Sequence, residues 1–279
     1  MFGYRHAYHA GCHGDVLKHM VLVACLQALT QKDKPLFYMD THAGAGMYAL
    51  SSEASQKSGE YKEGIARIWG AENPPELVQQ YLACIASFQP HGKLDMYPGS
   101  PAIAASLLRP DDRLWFNEWH PTDSELLMQR YSRDRRVHCV HGDGYVSLKA
   151  VLPPKEKRAL IVMDPSYEMK EDYIVVAKSL LEAYAKFSTG VYFLWYPLVF
   201  QDKVDGMLRR LEKGVSRYLN VTLSPLAPSG DERGMHGSGV FIINPPWTLA
   251  NALQSTLPWL SDHLAQSDKA RWTLDVRDL

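Results

Sequence analysis

Apolar runs and apolar periodicities alternate along most of this chain. Between Asp15 and Leu29 the apolar residues Val16, Leu17, Met20, Val23, Ala24 and Ala28 recur at helical spacing, which predicts a helix with one buried stripe. Pro35 then opens Leu36-Phe37-Tyr38-Met39-Asp40, whose continuous apolar character predicts a buried strand. Further strand-like runs lie at residues 113–118, 136–140, 159–163, 191–195, 218–223 and 239–243, and helical patterns, including those at 122–131 and 172–187, separate the first five. Such alternation predicts an α/β fold of parallel strands with crossover helices, a doubly wound sheet. Only the loop around Pro225 to Gly237 divides the last two runs, which suits an antiparallel hairpin at the sheet edge.

One interval is too long for the alternation. About fifty residues more lie between Gly46 and Glu118 than in a compact nucleotide-binding unit, where an acidic residue follows the small-residue loop after about 20 positions. Residues 61–69 and 76–88 have helical patterns, and compact domains seldom carry a structureless bridge of that length. The expected organisation is a main domain of residues 1–50 and 99–279, with a small helical subdomain, residues 51–98, inserted near the mouth of the site.

Bulk properties narrow the class without changing this outline. With 279 residues, 46% hydrophobic and 22% charged, the chain has core enough for one large domain with an insertion. A formal charge of -1 argues against a protein that coats a long nucleic-acid duplex, so any nucleic-acid contact is expected to be local. The basic clusters are Arg130, Arg133, Arg135 and Arg136, then Lys155, Lys157 and Arg158, then Arg209, Arg210 and Lys213, each read as a solvated face unless the fold makes them converge. No apolar run approaches a membrane span and the amino terminus lacks a signal-peptide layout, so a cytoplasmic location with no membrane partner is expected. Cys12, Cys25, Cys84 and Cys139 form no C-x-x-C pair and read as small buried apolar residues.

The chemistry gathers at strand ends. The apolar run Leu160-Ile161-Val162-Met163 leads into Asp164-Pro165-Ser166-Tyr167, where Asp-Pro turns the chain out of the sheet past its carboxyl end, the edge at which open α/β sheets bind ligands. A carboxylate, a rigid carbonyl and an aromatic face at one point suit chemistry on the amino group of a flat base. Asp164 and the Pro165 carbonyl can accept hydrogen bonds from an adenine amine and localise its lone pair, while Tyr167 stacks on the extruded ring. Asp40-Thr41-His42-Ala43-Gly44-Ala45-Gly46 lacks the spacing of a dinucleotide or phosphate loop, which disfavours a pyrophosphate and suits a cofactor with an amino acid part and a sulfonium. Glu118 can accept from a ribose diol, and Asp143-Gly144 can take a donor on the cofactor's adenine.

These segments resemble the RlmJ family of 23S rRNA adenine-N6 methyltransferases, over essentially the whole chain. The resemblance is carried by Tyr4-Arg5-His6-x-x-His9-Ala10-Gly11 with Asp15-Val16-Leu17-Lys18-His19, by the Asp40 to Gly46 segment, and by Gly59-Glu60-Tyr61 with the 63–69 segment. Tyr97-Pro98-Gly99-Ser100-Pro101, Leu194-Trp195-Tyr196-Pro197, Arg233-Gly234-Met235 and Ile243-Asn244-Pro245-Pro246-Trp247 continue it. It implies a class I, Rossmann-like methyltransferase sheet with a small helical insertion and S-adenosylmethionine as cofactor. It also implies that His19, His42, Ser100, Glu118, Asp143, Gly144 and Asp164 contact the cofactor, that Asp164 is catalytic with Pro165 and Tyr167 beside it, and that Tyr4 and Tyr167 meet the substrate. The implied partner is a local 23S rRNA hairpin, protein-free or at an early assembly stage, bound by a monomer that needs no metal. The family pattern at the catalytic turn is Asp-Pro-Pro-Tyr, and Ser166 here replaces the second proline, which removes rigidity but keeps the Pro165 carbonyl.

Four rival readings remain. Asn244-Pro245-Pro246-Trp247 is a second turn of the amino-methylating type, although it follows the last strand and Trp247 reads as a packing residue that begins the final helix. His6, His9, His13, His19 and His42 suggest a metal site, but no carboxylate partners are evident for them, and His19 and His42 fit better as hydrogen-bonding groups near the cofactor and the others as cap or RNA contacts. A non-catalytic S-adenosylmethionine-binding protein, with Ser166 as the lesion, and a DNA or small-molecule methyltransferase share the same sequence features.

Overall fold

The computed structural model describes residues 5–227 and 234–278. Its elements are α1 (His13–Thr30), β1 (Phe37–Asp40), β2 (Met47–Ala49), α2 (Glu53–Ser58), α3 (Ile65–Ile68), α4 (Glu76–Ala86), β3 (Met96–Pro98), α5 (Ser100–Leu107), β4 (Arg113–Glu118), α6 (Pro121–Tyr131) and β5 (Val137–His141). They continue with α7 (Gly144–Val151), β6 (Ala159–Met163), α8 (Asp172–Lys186), β7 (Val191–Leu198), α9 (Gln201–Gly214), β8 (Tyr218–Ser224), β9 (Gly237–Ile243), α10 (Leu249–Leu264) and β10 (Arg271–Arg277). One eight-stranded sheet has the order β10-β8-β9-β7-β6-β1-β4-β5. The strands β5, β4, β1, β6 and β7 pair in parallel, and β9, β8 and β10 extend the sheet antiparallel.

Strand residues alternate between two apolar layers. Phe37, Met39, Ile161, Met163, Tyr192 and Leu194 join the cluster made with α7, α8 and α9, whereas Tyr38, Leu160, Val162 and Phe193 join the one holding α1, α4, α5 and α10. The doubly wound sheet therefore follows from strands apolar on both faces.

Helix α1 departs from the expected single stripe. Every residue from His13 to Val23 is buried, because α4, α5, α10 and the sheet surround it. Its polar residues Asp15, Lys18 and His19 consequently face the protein interior, where each needs a partner. The hairpin β8-β9 forms as expected but is not the edge: β10 pairs with β8 from Arg271↔Ser224 to Arg277↔Tyr218. The alternation Arg-Trp-Thr-Leu-Asp-Val-Arg was the sequence signal for that strand.

The 51–98 segment begins and ends on a two-stranded ribbon, with Met47 opposite Pro98. A continuous helix over 61–69 does not form. A 3-10 turn at Glu60–Glu63 gives way to α3 at Gly64, where Ile65 N donates to Gly11 O at 2.9 Å; a Cβ on Gly64 would lie 2.0 Å from that carbonyl oxygen. Leu77, Val78, Tyr81 and Ile85 of α4 enter the same apolar cluster as α1. Cys12, Cys25 and Cys84 are buried, but Cys139 is only half-buried. Among the described residues no helix is long and apolar enough to cross a membrane.

Candidate active site

The carboxyl ends of β1, β4 and β6 converge on a cavity of about 290 Å³, walled in part by Lys18, His19, His42, Ser100, Glu118 and Asp164. Asp40, at the end of β1, is fully buried. Its Oδ2 accepts from Ser100 Oγ at 2.6 Å and from Tyr38 OH at 3.2 Å, and its Oδ1 accepts from His42 N at 3.2 Å. Burial pushes this carboxyl up to about 6 despite the Ser100 bond. Ser100 thus reaches the cavity already committed to Asp40.

Glu118, at the end of β4, is oriented by the backbone: Oε2 accepts from Gly44 N and Oε1 from His120 N, both at 2.6 Å. Burial raises its pKa, opposed by these bonds. Gly44 has φ +62, and a Cβ there would lie 2.2 Å from the Tyr48 hydroxyl, so the loop after β1 requires glycine. His42 is kept neutral by burial, which lowers it to about 4, and its Nδ1 lies 2.8 Å from Thr41 Oγ1. His19 Nδ1 lies 2.9 Å from Tyr97 OH, while its buried Nε2 has no hydrogen-bond partner. Asp143 and Gly144 do not wall this cavity: Asp143 Oδ1 caps α7 by accepting from Tyr145 N at 2.7 Å and Val146 N at 3.4 Å. A Cβ on Gly144 would lie 2.1 Å from Thr41 O, so that glycine lets α7 dock on the loop after β1.

Asp164 ends β6 with a partner no strand pattern revealed. Lys18 Nζ, from buried α1, donates to Asp164 Oδ2 at 2.6 Å and lies 2.8 Å from Asp15 Oδ1. Asp15 Oδ2 also accepts from Gly11 N at 2.8 Å and lies 2.9 Å from His6 Nε2. Burial opposes charge on both residues, yet Asp15 and Asp164 hold the Lys18 ammonium above the ordinary lysine range, and His6, Lys18 and His19 hold the Asp15 carboxyl well below the carboxylate range. Asp15, Lys18 and His6 belong to the segments that carried the family resemblance; the sequence suggested no role for Asp15 or Lys18, and for His6 only a cap or RNA contact. Asp15, Lys18 and His19, three ionisable groups inside an apolar helical run, were the signal for the first two; His6 lies outside that run.

A second cavity, about 560 Å³, opens behind the same turn and shares His6, Lys18, Asp164, Pro165 and Ser166 with the first. The Asp164 turn is therefore a partition between two cavities. Tyr167 adopts φ +51, and its buried ring lies 4.7 Å from Tyr173 and 6.3 Å from Trp195, with its hydroxyl donating to Trp195 O at 2.9 Å. Tyr167 and Trp195 both line the second cavity, and Ser166 is exposed at its edge. Tyr4 lies outside the described residues, as does Arg233.

The rival turn is at the wrong end of the sheet. Because β9 runs antiparallel to β7, with Ile243 opposite Tyr192, Asn244 emerges beside the amino end of β7. Asn244 Nδ2 donates to Ser188 O and Gly190 O, both at 2.8 Å, which makes it a loop clamp. Trp247 is 78% exposed and precedes α10, so it is not the packing residue expected. Carboxylate partners do exist among the histidines: besides His6 and Asp15, His9 Nδ1 lies 2.9 Å from Glu60 Oε1. Arg136 and Arg158 are structural, donating to Leu108 O and Leu29 O at 2.6 and 2.7 Å.

Comparison with known proteins accords with this architecture. The family model described as "Ribosomal RNA large subunit methyltransferase D, RlmJ" matches residues 33–277. The chain is 45% identical over 275 residues to "Ribosomal RNA large subunit methyltransferase J" of Escherichia coli (strain K12), covering 98% of both chains. It is 44% identical to the protein of that name from Haemophilus influenzae, covering 99% of this chain and 98% of the relative. The crystal structure of protein LPL1258 from Legionella pneumophila str. Philadelphia 1 superposes with TM-score 0.90 at 38% identity, covering 97% of this chain and 99% of that one. The fold is thus the Rossmann-like methyltransferase fold with inserted helical elements. From these matches, the chain belongs to the RlmJ family of ribosomal RNA large subunit methyltransferases.

Proposed function

We propose that the chain transfers a methyl group from S-adenosylmethionine to the N6 amine of a specific adenine in 23S rRNA. The observation that carries this reading is the partition: Asp164 stands between two cavities with Oδ2 held by Lys18, and among the described residues no donor reaches Oδ1. One oxygen is therefore fixed and the other is available to an amine.

The first cavity fits the cofactor. Gly44 lies on its wall, Glu118 offers unshared lone pairs to a diol, and the buried His19 Nε2 has no hydrogen-bond partner among the described residues. His42, Ser100 and Asp164 complete the proposed contact set on the walls, with Asp143 and Gly144 acting from the start of α7. Bound S-adenosylmethionine supplies an electrophilic methyl on a sulfonium. The second cavity takes the extruded adenine, with Tyr167 and Trp195 as aromatic walls and Tyr4 as a further RNA contact.

Asp164 Oδ1 and the Pro165 carbonyl accept from the amine and aim its lone pair at the methyl. The amine would become acidic as it takes up the methyl that bound S-adenosylmethionine supplies, and Asp164 Oδ1 would receive its proton. Lys18 neutralises and orients Asp164 throughout. The same reading places the enzyme in the cytoplasm, acting as a monomer on a local hairpin of protein-free or early-assembly RNA, with residues 51–98 as a helical subdomain beside the substrate cavity.

Methyl transfer from labelled S-adenosylmethionine to protein-free 23S rRNA, single-stranded DNA and adenosine tests the proposal. N6-methyladenine at one site in the RNA is expected. Cofactor binding with no product would support the binding-only reading, and faster transfer to DNA would redirect the substrate assignment.

A further inference from the structure

Asp15 has no place in the methyl-transfer step above, yet it is a heavily engaged buried carboxylate near it. It is 2% exposed and its oxygens meet Gly11 N, His6 Nε2 and Lys18 Nζ within 2.9 Å. Lys18 is 3% exposed and bridges Asp15 to Asp164, so carboxylate, ammonium and carboxylate form one row ending at the partition. A lysine paired with Asp164 alone would leave the row neutral. Asp15 makes the formal charge of these three side chains -1, with His6 standing outside the row against Asp15.

We propose that Asp15 is a positioning residue that clamps Lys18 against Asp164 and gives the row the net negative charge that favours a sulfonium over a neutral thioether. The inference rests on the methyl-transfer reading. In that reading the methyl must reach the partition from the first cavity, which sets the sulfonium beside Asp164 and Lys18, both on that cavity's wall. The row then selects the charged cofactor and releases the uncharged thioether product. Asp40, Glu118, Asp123, Glu168 and Asp172, the other carboxylates near this cavity, are unchanged by substitutions in the row. Asp15 touches no reacting atom and acts through Lys18.

The test compares affinities for S-adenosylmethionine and S-adenosylhomocysteine by calorimetry at one pH for every variant. The wild-type protein should bind both, and failure to bind either would refute the methyltransferase reading itself. Asp15→Asn, with the row at zero charge, should lose on the order of tenfold in its preference for the sulfonium while binding the thioether nearly as before. Lys18→Gln, with the row at -2, should shift the preference the other way, and the double variant, at -1, should return close to the wild-type ratio. A merely structural Asp15 would weaken both ligands alike, and equal losses in Asp15→Asn would overturn the inference. If Asp15→Asn does not fold, Lys18→Gln decides: an unchanged ratio there overturns it equally.

Discussion

Replacing Asp164 by asparagine removes a charge while keeping the shape of the side chain, and the structure dictates how the amide must sit. Lys18 Nζ, 2.6 Å from Oδ2, presents only donors, so asparagine must turn its carbonyl oxygen toward the lysine. Its NH2 then faces the second cavity at the position of Oδ1 and meets the adenine amine donor to donor. Neither the orienting acceptor nor the proton acceptor survives. Loss of one preorganised acceptor and of the group that takes the proton should reduce single-turnover methyl transfer by about 10²–10⁴-fold, equivalent to roughly 3–5 kcal/mol in the barrier. Lys18 keeps Asp15, so the fold should survive with a loss of about 1–3 kcal/mol. Affinity for S-adenosylhomocysteine should change by less than about tenfold, because the other wall residues remain. The assay is transfer of labelled methyl to protein-free 23S rRNA under saturating cofactor, beside a calorimetric titration of the thioether. A rate within about threefold of wild type would refute the pinned-carboxylate mechanism, since that change is below 1 kcal/mol. Asp164→Ala should be equally inactive.

Asp40 should leave a pH signature in stability. Its carboxyl is raised to about 6 in the folded protein, so its contribution is fully present below the unfolded value near 4 and is lost as pH rises through about 6. Relative to wild type, Asp40→Asn should therefore gain roughly 2–3 kcal/mol between pH 4 and pH 7 in urea unfolding, while His13 and His42 titrate alike in both proteins and cancel; a flat difference would contradict a raised carboxyl. Gly144→Ala, whose Cβ would sit 2.1 Å from Thr41 O, should destabilise by about 1–3 kcal/mol and weaken cofactor binding, read as a lowered melting temperature. Ser166→Pro should preserve or raise turnover, because Ser166 makes no hydrogen bond among the described residues and lies exposed at the cavity edge; a large fall in kcat would show that serine has its own role.

How much was legible depended on the range of the interactions. Strand positions, the parallel order and the acidic ends Asp40, Glu118 and Asp164 follow from local apolar runs and turn residues, which report burial one segment at a time. Alternation alone would also have revealed β10. By contrast, the partner of Asp164 is 146 residues away, and no local pattern can pair them. Helix α1 is the clearest case. Its stripe predicts a helix, but a stripe cannot say that the opposite face is also covered, and so cannot distinguish solvated Asp15 and Lys18 from a buried row.

The sequence by itself determined the fold class, the strand ends where chemistry gathers and, through motif segments spread over the chain, the family. Tertiary structure alone decided that Lys18 and Asp15 stand behind Asp164, that Tyr167 is a buried wall, that Asp143 caps α7, and that Asn244 lies at the far end of the sheet. The division has one physical reason. Secondary structure reflects periodic burial within a segment, whereas a site is made of side chains whose charges and hydrogen bonds are satisfied only when distant segments pack together.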